Sequence, residues 1–162
     1  MADFDGLDNA AVVLETVRLA GVGEVMIART VRNADGSFFA AFLDGERIAR
    51  AVTQVYPDHL RLCDVFVEPV MHRAARRLGF TVSRSRTNLR GAGLGTRLVV
   101  WVLEEAHVRG LGAVRGRFAP ETPGDAERLA RFYRRLGFTL ENGDVVYRFG
   151  RGVADRTDSA LL

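Results

Sequence analysis

Up to Pro69, apolar residues fall in short runs separated by turn residues. Segment 8–19 carries Ala11, Val12, Leu14, Val17 and Leu19 with Gly21 behind them, and the spacing predicts a short helix capped by Asp8 or Asn9. Segments 24–32 and 37–43 predict strands joined by Asn33-Ala34-Asp35-Gly36. Asp44-Gly45 opens a tight hairpin turn into a strand over 47–55, and Tyr56-Pro57-Asp58 turns the chain into another over 59–67. The sum is an antiparallel meander of about four strands.

Beyond Pro69 the pattern changes. Val70, Ala74 and Leu78 share one stripe with arginines off it, which predicts an amphipathic helix over 70–78 stopped by Gly79. Segment 80–87 alternates and predicts a short strand or extended arm. A helix is expected over 95–109, ended by Gly110, and a buried strand over 113–118. Thr122-Pro123-Gly124-Asp125 is a helix start with Thr122 as cap, and Gly137 stops that helix after Leu136. Segments 138–140 and 145–149 form a last hairpin across Asn142-Gly143. Without an internal Pro/Ser/Gly linker, 1–150 reads as one domain with an insertion at 70–89, and 151–162 as a flexible tail.

Composition narrows the class. At 162 residues and 48% apolar, the chain can bury a sizeable core and is not of the disordered type. No apolar run reaches the roughly 18 residues of a membrane span. The acidic start Met1-Ala2-Asp3-Phe4-Asp5 argues against a secretory signal, and the single cysteine, Cys63, suits a reducing compartment, so a cytoplasmic location is expected. Cys63 is expected as a small buried hydrophobe and Trp101 as core. His59, His72 and His107 lack paired ligand spacing, so no metal site is expected. The net charge is +3 with no lysine, every positive side chain being arginine. Arg73, Arg76, Arg77, Arg84, Arg86 and Arg90 fall within 70–90 with no acidic residue among them. Such a cluster attracts polyanions, phosphate-rich small molecules and RNA among them.

The chemistry concentrates in Arg90-Gly91-Ala92-Gly93-Leu94-Gly95-Thr96, a glycine-rich turn running into a helix. The first amides of a helix have no internal partner, and the helix dipole leaves that end partly positive, so the turn is an anion site suited to phosphate. The phosphate loop ending in Gly-Lys-[Ser/Thr] is excluded because the chain has no lysine. The dinucleotide fingerprint G-x-G-x-x-G is not matched either, since Gly91, Gly93 and Gly95 give G-x-G-x-G.

The spacing Arg90, Gly93, Gly95 matches R-x-x-G-x-G and resembles the GNAT superfamily of N-acyltransferases. Leu62-Cys63-Asp64-Val65-Phe66-Val67-Glu68-Pro69 resembles that family's fourth strand, and Arg131-Phe132-Tyr133-Arg134-Arg135-Leu136-Gly137-Phe138 its late F-Y-x-x-x-G-F signature. The resemblance covers about 60–149, in the family's order, and implies an α/β (α+β) fold with a mixed, mostly antiparallel sheet flanked by helices. It implies that acetyl-CoA is the acyl donor, with its pyrophosphate on the amides of Gly91, Ala92, Gly93, Leu94, Gly95 and Thr96 beside Arg90. Main chain of Phe66 and Val67 would meet the pantetheine arm. Tyr133 would protonate the departing sulfur. The asparagine expected seven residues earlier is replaced by Ala126.

Asp64 is a candidate base, facing either the acceptor cleft or a partner arginine such as one from the insertion; Glu68 is a second candidate. The resemblance thus implies acyl transfer to a primary amine of a small molecule, amino acid or peptide, by direct attack in a ternary complex. With one helix expected before residue 24 where the family has two, the insertion would wall the acceptor site. Edge strands of this architecture often pair between subunits, which is compatible with a homodimer. The alternative is a non-catalytic module of the same fold that senses acyl-CoA or binds nucleic acid through its arginines.

Overall fold

A computed structural model of the protein describes residues 11–33, 35–77 and 80–150, with backbone alone at 32–33, 73–77 and 80–84. Five strands open the chain: β1 (Ala11–Leu19), β2 (Gly23–Asn33), β3 (Gly36–Leu43), β4 (Glu46–Val55) and β5 (His59–Val67). They form an antiparallel meander. The β3–β4 turn uses two left-handed residues, Asp44 (φ 51°) and Gly45 (φ 80°), whose twist matches that of the strands. Next come β6 (Val70–Arg77), β7 (Phe80–Asn88), α1 (Leu94–Val108), β8 (Ala113–Arg117), a 3-10 turn (Pro123–Asp125), α2 (Ala126–Arg135), β9 (Thr139–Glu141) and β10 (Asp144–Arg148). The main sheet has eight strands in the order β1-β2-β3-β4-β5-β8-β10-β9, while β6 and β7 form a separate ribbon. The pair β5–β8 is parallel, because the chain returns to β5 through α1.

The core lies between the sheet and α1. Leu94, Leu98, Val99, Val102 and Ala106 make a helix-spaced apolar stripe that is fully covered. It joins Phe39, Ala41 and Leu43 of β3, Ala49 and Ala51 of β4 and Leu60 of β5 in one cluster. Each fully buried Leu or Val contributes about 1.5–3 kcal/mol. Ala28, Ala40 and Phe42 form a smaller cluster from alternate positions of β2 and β3, on the opposite face. No described helix is long and apolar enough to cross a membrane.

Two segments expected as helix are strand. Ala11–Leu19 pairs with β2 from Ala11↔Thr30 to Leu19↔Gly23. Its apolar positions fit a period near 3.6 only because an irregularity between Val13 and Glu15 breaks the alternation. The β-branched residues Val12, Val13, Thr16 and Val17 favour the pleated form. Asp8 and Asn9, the expected caps, lie outside the described residues. Segment Val70–Arg77 pairs antiparallel with β7, from Val70↔Asn88 to Arg77↔Phe80, with an irregularity between Ala75 and Arg76. The alternating stretch after residue 79 needed a strand partner, and the preceding segment supplies it. Leu78 and Gly79 lie outside the described residues. Among the described residues no helix precedes α1, so the single helix expected before residue 24 is replaced by sheet.

Three smaller expectations are also corrected. Cys63 is exposed, because the pairing skips it: Val52 faces Asp64 and Thr53 faces Leu62. Trp101 is half-buried and donates through Nε1 to Glu15 at 3.2 Å. The Thr122 hydroxyl donates to the Asp125 carboxylate at 2.7 Å and makes no hydrogen bond capping the helix.

Candidate active site

Three features meet near the start of α1. The first is the glycine turn. Gly91 (φ 78°) and Gly93 (φ 84°) are left-handed, and Gly93 is the residue before the first helical turn. A Cβ at either would meet nothing within 4 Å, so the need for glycine there is conformational rather than steric. The Arg97 amide makes the first helical bond, donating to the Gly93 carbonyl at 3.0 Å. Arg90 and Gly91 form a tight turn; among the described residues no carbonyl or side chain accepts from the amides of Leu94, Gly95 and Thr96, and the first turn of α1 holds no acidic side chain. The approach is clamped: the Leu89 amide donates to the Pro69 carbonyl at 3.1 Å, and the Arg90 amide to Asn88 Oδ1 at 3.0 Å. The side chain of Leu89 is sunk in the core while Arg90 is exposed.

The second feature is a parting in the sheet. Pairing of β5 with β8 runs from His59↔Ala113 to Leu62↔Gly116 and stops, although β5 continues to Val67. Gly116 stands at the last close approach, where a Cβ would lie 3.1 Å from the Leu62 carbonyl oxygen. On its other edge β5 stays paired to β4 as far as Val67↔Ala49. The edge of β5 at Phe66 and Val67 that faces the parting therefore has no strand partner. Gly95 ties the turn to this parting: a Cβ on it would sit 3.5 Å from the Phe132 ring and 3.7 Å from Val67 Cγ2.

The third feature is Tyr133 on α2. Its ring is buried edge-to-face against Phe132 (centroids 5.1 Å) and Phe138 (5.3 Å). Its hydroxyl makes no hydrogen bond among the described residues. Burial, and secondarily the negative charge of Asp64, push its pKa above the ordinary value of 10.0, so the phenol keeps its proton throughout the neutral range.

Asp64 is not free. Arg50 of β4 donates to its Oδ2 through Nε at 2.8 Å, and the same guanidinium lies 5.1 Å over the Phe66 ring. Both side chains are roughly two-fifths exposed, at 39% and 43%, so the pair is worth about 0.2–1 kcal/mol. The partner arginine therefore comes from β4 and not from the insertion. Arg50 is the residue that sequence reasoning missed; it is one of three charges on β4, and register alone connects it to Asp64. Glu68 is exposed just past β5, with its amide held by the Ile48 carbonyl at 2.9 Å.

A cleft of about 560 Å³ borders the turn on another flank, lined by Glu15, Ala92, Gly93, Thr96, Arg97, Val100 and Trp101. Within it Arg97 donates to Glu15. It shares Ala92, Gly93 and Thr96 with the turn but reaches neither Tyr133 nor Asp64.

The acetyltransferase (GNAT) family model matches residues 16–138, most of the chain. The chain belongs to the GNAT acetyltransferase family. Its fold is also that of solved GNAT structures. A GNAT-family acetyltransferase from Desulfovibrio desulfuricans aligns at 20% identity and TM-score 0.50, over 71% of this chain and 69% of that one. The ribosomal-protein-S18-alanine N-acetyltransferase of Escherichia coli aligns at 20% identity and TM-score 0.48, over 71% and 68%. A GNAT acetyltransferase from Elizabethkingia anophelis, solved with acetyl-CoA bound, aligns at 11% identity and TM-score 0.49, over 88% and 100%. No curated protein matches the chain. In this GNAT chain the helices flank a mostly antiparallel sheet, as the resemblance implied.

Proposed function

We propose that this GNAT chain is an acetyl-CoA-dependent N-acetyltransferase that joins donor and amine in one ternary complex. The observation that carries this reading is the set of unpaired amides at the start of α1, Leu94 to Thr96 behind the left-handed Gly91 and Gly93, opening beside the unpaired edge of β5. The amides and the α1 dipole would hold the donor's pyrophosphate, with Arg90 alongside. Main chain at Phe66 and Val67 would pair with the pantetheine arm as an added strand does.

Acyl transfer then needs three proton and bond events. The amine gives up a proton, its nitrogen bonds to the thioester carbonyl carbon, and the carbon–sulfur bond breaks toward a thiolate. Tyr133, buried and protonated, would supply the proton that the sulfur takes. The amine's proton passes to solvent through Asp64 or Glu68. The acceptor is a primary amine of a small molecule, amino acid or peptide. The test is thiol release from acetyl-CoA against a panel of amines, alongside calorimetric binding of acetyl-CoA. Binding with amine-dependent thiol release supports the reading; absence of acetyl-CoA binding removes it.

One observation favours a second reading, a nucleic-acid-binding module. The β6–β7 ribbon sets His72 opposite Arg86 and Ala74 opposite Arg84 within a stretch that has no acidic residue. Salt-sensitive retention of RNA without thiol release would select it.

A further inference from the structure

The Arg50–Asp64 pair lies on the sheet face away from α1. Ala49 and Ala51 of β4, with Val65 and Val67 of β5, point into the main core. The alternate positions Arg50, Val52, Asp64 and Phe66 therefore share the other face. Register puts Arg50 directly across from Phe66 and Val52 across from Asp64, so Arg50 reaches Asp64 along the diagonal. Asp64 is two residues past Leu62, the last residue of β5 that pairs with β8. It thus stands where the sheet parts, close enough to Tyr133 for its charge to be felt there.

The pair is half-satisfied. Arg50 uses Nε, while its two terminal nitrogens make no hydrogen bond among the described residues. These carry four N–H groups in a planar fork that matches a carboxylate. The guanidinium carbon lies 5.1 Å from the centre of the Phe66 ring, a cation–π contact that helps hold the head group in place. Asp64 accepts through Oδ2, and its Oδ1 has no partner among the described residues. A simple ammonium approaching Asp64 meets the Arg50 charge, and a simple anion approaching Arg50 meets Asp64. A molecule carrying both charges a few bonds apart satisfies both.

We infer that Arg50 and Asp64 form a zwitterion clamp and that the acceptor is an amino acid with a free carboxylate, its amine toward Asp64 and its carboxylate on the Arg50 fork. This rests on the acetyltransferase reading above and narrows its acceptor. A site with built donors discriminates strongly against an analogue that leaves them unpaired.

The test is kcat/KM for thiol release with matched sets: an amino acid, its carboxamide and its decarboxylated amine, for example phenylalanine, phenylalaninamide and phenethylamine. Wild type should prefer the free acid by at least about tenfold. Arg50→Gln should erase the preference by raising KM for the acid about tenfold or more, while Arg50→Lys restores part of it. Acetyl-CoA affinity should stay within about twofold in both variants. Equal turnover of acid, amide and amine by wild type overturns the clamp but leaves the acetyltransferase reading standing. Retention of the acid preference in Arg50→Gln overturns it as well. Failure of the wild type to bind acetyl-CoA removes both.

Discussion

Ser37 and Glu105 are 68 positions apart in the chain, yet the Ser37 hydroxyl donates to Glu105 Oε1 at 2.5 Å inside the core. Arg109, one turn on, adds donors from Nε and Nη2 at 3.1 and 2.9 Å to the same oxygen. A carboxylate this deep persists only when partnered, so the bond pins α1, and with it the glycine turn, to β3.

Glu105→Ala should therefore destabilise strongly. It removes three hydrogen bonds and strands the Ser37 hydroxyl without an acceptor. The expected loss is about 2–4 kcal/mol, or roughly 5–12 °C in Tm for a chain of this size. Ser37→Ala should lose about 1 kcal/mol. Urea and thermal unfolding measure both; a loss below about 0.5 kcal/mol for Glu105→Ala would show that the helix is not anchored here.

Gly93 and Gly95 should separate when each is changed to alanine. Gly93 is left-handed, so alanine there costs about 1 kcal/mol in backbone strain or shifts the turn. Acetyl-CoA affinity should fall several-fold. Gly95 has a helical backbone, and an added Cβ meets Phe132 at ordinary contact distance, so Gly95→Ala should leave stability equal or slightly higher. Calorimetric titration with acetyl-CoA plus thermal melts decides; unchanged affinity in Gly93→Ala would mean the turn does not cradle the donor.

Tyr133→Phe should lower kcat by about 10²-fold or more with little change in neutral-pH stability, since the hydroxyl makes no hydrogen bond among the described residues. The raised pKa also sets a sign. The unfolded chain loses the phenol proton above 10.0 while the folded one retains it, so this contribution is fully present below that pH and is lost as pH rises beyond it. The phenylalanine variant should accordingly lose less stability than wild type on going into strong alkali. Identical alkaline unfolding profiles would contradict the burial of this ring.

The last hairpin should respond to acid. The Arg148 guanidinium, and secondarily the Thr139 hydroxyl, hold Glu141 down from 4.5 to about 2. A depressed carboxylate contributes stability that is present above 4.5 and is lost as pH falls toward about 2. Glu141→Gln should flatten the stability profile in that window and leave it unchanged in shape above it. An equally steep acid limb in the variant would assign the loss to other groups.

Much of the architecture was legible in the sequence because it is written in local chemistry. Asp44-Gly45 and Asn142-Gly143 are left-handed pairs that only a tight hairpin turn uses, and both occur where expected. The stripe from Leu94 to Ala106 has one period and one burial consequence. The glycine turn announces its own backbone angles. Ala11–Leu19 and Val70–Arg77 misled because each breaks strand alternation at an irregularity, leaving a spacing that a helix would also satisfy. What they become is settled by the strand each lies against.

The sequence by itself therefore determined the tight turns, the apolar stripe of α1 and the glycine turn that precedes it, since backbone angles and side-chain periodicity follow from neighbouring residues. The tertiary structure alone decided that Arg50 answers Asp64, that Ser37 answers Glu105, and that β5 and β8 part after Leu62. Those are matters of register between distant segments. Register is set by the total burial of two faces at once, a quantity that no single stretch of chain contains.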